Sequence, residues 1–361
     1  MRGMMDRART ILGLFLAASV LLGSPTVLAQ EITTNIVDCA VDVGLGPFIC
    51  GERHGNNLLV ITNGGTVKSQ TGYIGRRPSS HGNMVIITGA GALWNDTTGF
   101  DIGDRSCFNS LILADGGKLN CMNGYLGYYV NANSNSATVS GSGAVWNIVE
   151  KLHIGYGGSF NVVVITNGGV VNCGEGALIG PGPGNLAIVT GSGSVWNVSG
   201  GDLVVGGGPG SSLILSDGGS VAGSVVVRSG STVGGSGALG SLTMAAGSLL
   251  SPGDPTGKLT IKGNMTLDGG ATNVFELGKA NTPGVDYDHV EVLGTLNIAN
   301  VDFASFAFTA NDGFGPGLYR LFHAAGLSGN LGAKTRGTVK NLNAVLRKDA
   351  EKNDLLLEVS R

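Results

Sequence analysis

Short runs of β-branched and aliphatic residues recur along the chain, each four or five residues long and separated by glycine and asparagine. Residues 162 to 166 and 186 to 190 are two of these runs. Runs of this length between turn-forming residues are typical of β-strands. No segment between residues 58 and 219 repeats its apolar residues with the period of a helix. The pattern therefore predicts an all-β protein built from many short strands.

Two motifs return at a fixed spacing within this region. An Asn/Asp-Gly-Gly corner recurs at steps of 52, 52 and 50 residues, and a Trp-Asn pair recurs at steps of 52 and 50. A period of this size indicates a solenoid, a propeller or another repeat array. The structural repeat residues are Gly64, Gly65, Trp94, Gly116, Gly117, Trp146, Gly168, Gly169, Trp196, Gly218 and Gly219.

A finer period divides each repeat of 50–52 residues into two. A strand ending in glycine, such as Tyr73-Ile74-Gly75, returns at steps of 24 to 28 residues. An all-strand unit of about 26 residues is typical of one coil of a right-handed parallel β-helix, whose coils stack at ~4.8 Å. The alternative is a kelch-like propeller, which needs at least about four blades. The repeat motifs end after the fourth Gly-Gly corner, which leaves too few units to close a propeller. We therefore predict the β-helix, with two coils per repeat.

Strand alternation predicts which side chains of these coils face inward. The tryptophans share their predicted face with small residues, which leave room in a narrow coil: Ala92 beside Trp94, Ala144 beside Trp146 and Ser194 beside Trp196. We expect three asparagines to face the other way and to bind corner amides: Asn95, Asn147 and Asn197. Asp96 is the polar exception on the inward face, in line with Ile148 and Val198.

Residues 1 to 29 have the organisation of an export signal. Arg2, Arg7 and Arg9 precede an apolar core of 12 residues, and Ala29 ends a small-residue cleavage site. Such a core is too short for a resident transmembrane helix. We expect cleavage before Gln30 and no resident transmembrane segment in the mature chain; the alternative is an anchor that is never cut.

The rest of the chain divides into three regions by composition. Residues 30 to 57 precede the repeats as an N-terminal cap, residues 58 to 233 form the repeat β-helix, and residues 234 to 361 form its C-terminal end and cap. Aromatic residues gather in the last region and predict a wider, better-filled end of the solenoid: Phe303, Phe306, Phe308, Phe314, Tyr319 and Phe322.

The five cysteines give a disulfide candidate and no metal site. Export favours oxidised thiols, and a Cys39–Cys50 bond would stabilise the N-terminal cap by on the order of 3 kcal/mol. The alternative is a pair of unrelated thiols. Cys121 and Cys173 occupy one small-residue position of the repeat, two coils apart. Equivalent Cα atoms would then be ~9 to 10 Å apart, beyond the ~7 Å limit of a disulfide, so we expect no bond between them. Cys107 has no assignment.

Charge and side-chain chemistry exclude several functions. Charged residues make up only 13% of the chain, and its net charge is −3. No basic stretch predicts nucleic-acid binding. No spacing of histidines, cysteines or carboxylates predicts a catalytic, cofactor or metal site, and we expect no cofactor. The one tight polar cluster of the chain contains Asp286, Asp288 and His289. Both a turn before the next strand and a functional site would explain it.

Two recurring segments carry a family resemblance. Residues 61 to 67 contain a Gly-Gly-x-Val corner, and residues 189 to 197 read V-x-G-x-G-S-x-W-N. Together they resemble the repeat shared by bacterial type V autotransporters and PEP-CTERM exported proteins. Residues 250 to 253 are similar to the L-S-P-G stretch of autotransporter passengers. The resemblance covers about half of the chain and implies a passenger-type β-helix without a stated activity. We expect neither a translocator barrel nor a sorting tail after Phe322.

These observations lead to one expected function and two alternatives. We expect an exported structural or surface-binding, adhesin-like protein, not an enzyme, whose partner is a surface glycan or the extracellular matrix. Its expected place is outside the cell, at the cell surface or in the periplasm of a Gram-negative bacterium. The alternatives are a polysaccharide-active β-helical enzyme and the passenger half of a split autotransporter.

Overall fold

The computed structural model describes residues 34–361; the predicted export signal and the first residues after it lie outside this range. The described chain is a right-handed parallel β-helix with coils of about 26 residues, as the repeat predicted. Its helical content is a single 3-10 turn, η1 (Phe303–Ser305). The fold of the described residues is therefore all-β.

Coils 1 to 6 contain three strands each. In chain order these are β1 (Thr34–Val37), β2 (Ala40–Asp42), β3 (Phe48–Cys50); β4 (Leu58–Ile61), β5 (Thr66–Ser69), β6 (Gly72–Ile74); β7 (Met84–Thr88), β8 (Leu93–Asp96), β9 (Gly99–Ile102); β10 (Ser110–Ala114), β11 (Lys118–Cys121), β12 (Asn123–Leu126); β13 (Ser136–Ser140), β14 (Val145–Ile148), β15 (Lys151–Ile154); and β16 (Val162–Thr166), β17 (Val170–Cys173), β18 (Gly176–Ile179).

In the following coils the second and third strands often merge into one long, bent strand. Coils 7 to 9 contain β19 (Leu186–Thr190), β20 (Val195–Val205); β21 (Ser212–Ser216), β22 (Ser220–Val227); and β23 (Thr232–Gly235), β24 (Ala238–Met244). Coils 10 to 12 contain β25 (Leu249–Pro252), β26 (Lys258–Ile261), β27 (Met265–Asp268); β28 (Thr272–Leu277), β29 (His289–Val301); and β30 (Phe306–Ala310), β31 (Gly317–Leu331). The chain ends with β32 (Arg336–Val339), β33 (Leu342–Asp349) and β34 (Asp354–Ser360).

The coils stack as parallel sheets. The first strands of all twelve coils form one sheet, and the remaining strands form the other. Trp94 pairs with Leu119, which pairs with Trp146. Trp146 pairs in turn with Val171, and Val171 with Trp196. Successive tryptophans are therefore separated by one intervening coil, which confirms that each repeat of 50–52 residues is two coils.

The Gly-Gly corners are explained by backbone geometry. Asn63 and Gly64 both have positive φ, at 52° and 76°. Asparagine and glycine are the residues that adopt this region at least cost. A Cβ atom at Gly65 would collide with the carbonyl oxygen of Val37 in the coil below. The second glycine of the corner is therefore required by the close approach of two coils.

A column of buried asparagines runs through the coils just before each first strand. Asn135 donates from its backbone nitrogen and from Nδ2 to Oδ1 of Asn161, at 2.9 and 3.1 Å. The same pattern repeats between neighbouring coils, and these side chains are fully buried: Asn83, Asn109, Asn135, Asn161 and Asn185. This ladder satisfies the backbone of the corner without water. A Cβ atom at Gly103 would collide with the Asn135 amide, which explains the glycine that follows the third strand there.

The C-terminal coils are filled differently. Phe275, Phe322 and Tyr319 are fully buried, and Phe306 is nearly so. Phe303, Phe308 and Phe314 are partly buried against this core. The predicted gathering of aromatics in the C-terminal interior is therefore confirmed for part of the set.

The last three strands form an antiparallel cap. β34 pairs with both β31 and β33, and β32 pairs with β33. Tyr319 also donates its hydroxyl to the carbonyl oxygen of Gly278 at 3.1 Å. The cap covers the edge of the last coil from Gly317 to His323, and an open edge invites strand addition.

Candidate functional site: an exposed tyrosine surface

The three tryptophans are interior residues, as predicted. Trp94, Trp146 and Trp196 are 0% exposed. The small residues that we placed beside them, Ala92, Ala144 and Ser194, are also fully buried. These positions fill the coils and are closed to a ligand.

Each indole N–H is satisfied by the coil below. Trp146 donates from Nε1 to Sγ of Cys121 at 3.4 Å, and Trp196 donates to Sγ of Cys173 at 3.3 Å. Trp94 donates to Ser69 Oγ at 3.1 Å. The small-residue position of the repeat is therefore also an acceptor position, which sequence reasoning missed. Burial raises the pKa of both thiols, so Cys121 and Cys173 stay protonated.

The Cys121–Cys173 prediction agrees with the register of the strands. Cys121 pairs with Ile148, and Ile148 pairs with Cys173. One complete coil separates the two thiols, and both are free. The intervening side chain leaves no route for a bond.

The predicted Cys39–Cys50 disulfide is not formed. Cys39 is exposed just before β2, whereas Cys50 is buried at the end of β3, and both thiols are free. Cys50 Sγ lies 4.0 and 3.9 Å from the carbonyl oxygens of Asn57 and Met84. Spacing along the chain did not reveal side-chain direction, and the two thiols face different surroundings.

The asparagines beside the tryptophans have another role than the one predicted. Instead of binding corner amides, they form a second ladder on the outer face of the sheet. Four bonds of 2.7 to 3.1 Å run from Nδ2 of one asparagine to Oδ1 of the asparagine in the coil below, in the column Asn95, Asn120, Asn147, Asn172 and Asn197. Outer-face amides at the strand spacing satisfy one another, so the column is structural.

The two aspartates of the polar cluster Asp286, Asp288 and His289 stabilise the turn that precedes β29. Asp288 accepts hydrogen bonds from the backbone nitrogens of Gly257 and Glu276, at 3.0 and 2.7 Å. Asp286 accepts from the backbone nitrogen of Thr282 at 3.0 Å. The turn interpretation therefore accounts for both aspartates. Burial raises the pKa of Asp288 to about 8, although its two backbone donors act to lower it.

The histidine of the cluster has partners of its own. His289 binds Glu291 through Nε2 at 3.1 Å, and its Nδ1 lies 2.9 Å from the carbonyl oxygen of Arg320. Both ring nitrogens are therefore engaged within the protein, and the cluster offers no free group to a ligand at this position.

A cluster of aromatic side chains covers the outer face of coils 2 to 5, where third strands end. The chain has seven tyrosines, and five of them lie here. We define the tyrosine surface by six residues: Tyr73, Tyr125, Tyr128, Tyr129, His153 and Tyr156. Tyr129 and Tyr156 are 45% and 46% exposed. Exposed aromatic clusters of this kind mark interaction sites more often than single exposed rings.

The rings of this surface contact one another across coils. Tyr125 stacks on His153 with ring centroids 5.1 Å apart, and Tyr128 stacks on Tyr156 at 5.1 Å. The two stacks meet edge to face, with Tyr125 and Tyr128 at 4.9 Å. Such contacts hold the rings in place, so the surface is preorganised.

Strand register explains how distant residues form this cluster. Tyr73, Asp101, Tyr125 and His153 pair in that order along β6, β9, β12 and β15. All four point outward, because the residue after each of them faces the interior. Tyr128, Tyr129 and Tyr156 follow the glycine that ends the strand. The sequence contained this signal in the repeated strand-Gly motif, but only the coil register placed the four positions in one column.

Two arginines lie over rings of the surface. The guanidinium carbon of Arg76 is 4.9 Å from the centroid of Tyr73, and that of Arg105 is 4.6 Å from the centroid of Tyr129. Arg105 also approaches Asp104, with Nε 3.8 Å from Oδ2. Ring faces that attract two of the protein's own cations are suited to cationic ligands.

Asp101 is the buried polar group of this surface. It points outward between Tyr73 and Tyr125, yet it is only 9% exposed. Its Oδ1 atom is buried without a hydrogen-bond partner. Burial, and then the charges of Asp104 and Asp96, raise the pKa of Asp101 to about 8. The carboxyl group is therefore mostly neutral at pH 7.

The interior carboxyl group of Asp96 differs from that of Asp101 in the bonds that it makes. Asp96 Oδ1 accepts from Trp94 Nε1 at 3.0 Å and from the hydroxyl of Ser69. Burial raises its pKa to about 7, although these two donors lower it. Asp96 thus occupies the position at which the other two tryptophan coils carry the aliphatic residues Ile148 and Val198. Its hydrogen bonds with Trp94 and Ser69 explain how a carboxyl group is accommodated there.

Comparison with known proteins adds no family to this fold. The chain is a parallel β-helix repeat protein by architecture. No protein-family model matches it, and no curated protein matches it. Within residues 34–361, no helix has the length and apolar character to cross a membrane. In the same part of the chain, no group of three or more His, Cys, Asp or Glu residues is placed to hold a metal ion.

Proposed function

We propose that this chain is an exported, surface-binding protein that binds a glycan at the tyrosine surface. The observation that carries the proposal is the concentration of five tyrosines on one outer face of neighbouring coils. Sugar rings bind proteins through their C–H faces and their hydroxyl groups, and tyrosine offers an apolar ring with a polar end.

The regular face of the solenoid supports a polymeric ligand. Equivalent outer positions repeat every ~4.8 Å along the β-helix, so a linear polysaccharide lying along the axis contacts the outer side chains of successive coils. Repeat proteins use extended surfaces of this kind for binding. A protein partner is the competing occupant, because tyrosine and arginine are also common at protein interfaces. Besides burial, the nearby charges of Asp104, Glu150 and Lys151 affect the pKa values of Tyr128, Tyr125 and His153 respectively. These polar surroundings favour a ligand rich in hydroxyl groups, and so the glycan.

The proposal is tested by depletion of the full exported chain from solution with insoluble cellulose, chitin and xylan. The variant replaces the three rings after the glycine corner: Tyr128→Ala, Tyr129→Ala and Tyr156→Ala. We expect it to lose about tenfold or more in affinity for the polysaccharide that binds, because exposed aromatic anchors dominate such contacts.

The control removes exposed aromatic area that does not belong to the six residues of the tyrosine surface. Phe108 and Phe160 are 65% and 50% exposed and have positive φ, so asparagine suits both positions. Phe108→Asn with Phe160→Asn is expected to bind as the unaltered chain does. Equal losses in both variants, or no binding to any of the three polysaccharides, would contradict the proposal.

Polysaccharide cleavage is the second candidate. Asp101 has a raised pKa, and the Asp104 carboxyl group lies close enough to contribute to it. A neutral acid beside a second carboxyl group is the pair that glycoside hydrolysis uses. New reducing ends released from a bound polysaccharide, and lost in Asp101→Asn, would favour catalysis. We expect none.

Export and surface location belong to the same proposal. The basic start and apolar core of residues 1 to 29 support it. Mass spectrometry of protein from the periplasmic and extracellular fractions is expected to find an N-terminus at Gln30. A chain that keeps Met1 to Ala29 and remains in the cytoplasm would contradict this part.

A further inference from the structure

The tyrosine surface contains a carboxyl group that the protein leaves without a partner. Asp101 Oδ1 is buried and accepts no hydrogen bond. A buried polar atom left unpaired is unfavourable because it has lost its bonds to water and gained none in return. The nearby Asp96 also has one buried oxygen without a partner, Oδ2, but it lies in the interior and its Oδ1 atom is held by Trp94 and Ser69. Asp101 lies on an outer face and keeps 9% of its surface exposed, although Oδ1 itself is closed to solvent, so a ligand reaches the carboxyl group from that exposed side.

The groups around Asp101 do not supply a compensating cation. It lies between two phenol rings, Tyr73 and Tyr125, and two carboxyl groups raise its pKa further, Asp104 and Asp96. The nearby arginines are already engaged. Arg76 lies over Tyr73 and approaches Glu52, with 3.5 Å between Nη1 and Oε2, and Arg105 lies over Tyr129 beside Asp104. The site therefore combines aromatic rings with an unpaired carboxyl group.

We infer that the ligand of the tyrosine surface is a cationic glycan, and that an ammonium group of an amino sugar pairs with Asp101. This inference rests on the proposed function and specifies its ligand. An ammonium group has three donors and no acceptor, which complements a carboxylate. Aromatic faces add attraction to the same charge. A neutral sugar would leave the Asp101 carboxyl group protonated and would bind less tightly, because it has no positive charge to pair with a carboxylate.

Binding is then linked to a proton. Near pH 7 the free protein holds Asp101 as the neutral acid, and the bound protein holds the carboxylate. On binding, the carboxyl group releases its proton to the buffer, and the carboxylate that remains pairs with the ammonium group of the sugar. Where the amino group of the sugar is already protonated, no covalent bond other than the O–H bond of Asp101 changes. Proton release falls to zero at high pH, where the free carboxyl group is already ionised, and it is fullest below the free pKa of about 8.

The test compares glucosamine oligomers with N-acetylated oligomers of the same length by isothermal titration calorimetry. The unaltered full chain is expected to bind the glucosamine oligomer about tenfold more tightly. Repeating the titration at about pH 5.5, where the amino groups of the sugar are already protonated, in buffers of different ionisation enthalpy measures the protons that Asp101 releases. We expect close to one proton for the glucosamine oligomer and none for the N-acetylated oligomer.

The matched variant is Asp101→Asn, which keeps the shape of the side chain and removes its charge. We expect it to lose both the tenfold preference for the glucosamine oligomer and the proton release. If the two oligomers bind equally and Asp101→Asn changes nothing, the inference fails while glycan binding stands. If neither oligomer binds and the Tyr128→Ala, Tyr129→Ala, Tyr156→Ala variant depletes normally on polysaccharides, the proposed function fails as well.

Discussion

Coils 2 to 5 and coils 10 to 12 follow the same parallel path but place their tyrosines on opposite sides. In the first region tyrosines cover the outer face, and the aromatic residues of the interior are Trp94, Phe100 and Trp146. In the second region Phe275, Tyr287, Tyr319 and Phe322 fill the interior. The β-helix can therefore use aromatic side chains for packing alone, as its C-terminal coils do. The tyrosines of coils 2 to 5 are not needed to fill the core, which is why we assign them to binding.

The buried polar residue just before the first strand of each coil also differs between the two parts of the β-helix. In coils 3 to 7 this residue is a hydrogen-bonded asparagine, and in coils 8 to 10 it is one of the buried serines Ser211, Ser231 and Ser248. Ser211 and Ser231 have buried hydroxyl oxygens without partners. The regular coils thus depend on a polar ladder, whereas the later coils depend more on apolar packing.

The largest predicted effect compares a buried tryptophan of the core with an exposed tyrosine of the tyrosine surface. Trp146→Ala removes a fully buried indole and leaves a cavity, so we expect a loss of about 3–5 kcal/mol in the free energy of unfolding. Urea unfolding followed by circular dichroism measures it. Tyr156→Ala, which removes a half-exposed ring, is the control and should cost far less. Similar losses in both variants would mean that the tyrosine surface is part of the core.

The second prediction tests the asparagine ladder. Asn135→Ala removes the acceptor of the Asn109 backbone nitrogen, whose bond to Oδ1 is 2.9 Å long. A buried donor is left unpaired, and we expect a loss of about 1–3 kcal/mol in the free energy of unfolding. Ser231→Ala, in the same column without a partner for its hydroxyl, is expected to be nearly neutral. Equal effects in chemical denaturation would show that the ladder carries no special stability.

The third prediction concerns pH. The folded pKa of Asp101 is raised to about 8, well above its ordinary value of about 3.9 in an unfolded chain. The folded state then holds a proton that the unfolded state has lost, so stability falls as pH rises from about 4 to 8. Asp96 and Asp288 act in the same direction.

Asp101→Asn removes one of these three contributions. We expect its melting temperature, relative to that of the unaltered chain, to increase steadily between about pH 4 and pH 8. The exposed aspartate variant Asp312→Asn serves as the control. A difference between Asp101→Asn and the unaltered chain that stays constant with pH would show that Asp101 is ionised in the folded state.

The smallest predicted effect tests the indole acceptor. Cys121→Ser keeps an acceptor for the Trp146 N–H, as Ser69 does for Trp94, and should change the free energy of unfolding by less than about 1 kcal/mol. Cys121→Val keeps an apolar side chain and loses the acceptor, so it should be the less stable of the two. The reverse order in thermal unfolding would mean that this position serves packing alone.

The sequence predicted the fold because its signals are local and repeated. Gly65 marks a corner and Trp94 a buried position, and both recur every two coils. A recurring spacing can be read from the sequence without knowing which residues are in contact. The tyrosine surface was not predicted, because Tyr73, Asp101 and Tyr125 are adjacent only in strand register. The Cys39–Cys50 bond failed for a related reason, since spacing along a chain does not fix side-chain direction. The partner of each indole likewise lies in the neighbouring coil.

Hydroxyl-radical footprinting of the full chain, with and without the polysaccharide that it binds, tests most directly whether the tyrosine surface is the binding site. We predict protection of the peptides that contain Tyr125 to Tyr129 and Tyr156, and unchanged reactivity at the exposed Leu318 of the C-terminal coils. Protection confined to the C-terminal coils, with the tyrosines as reactive as in the free protein, would contradict this assignment.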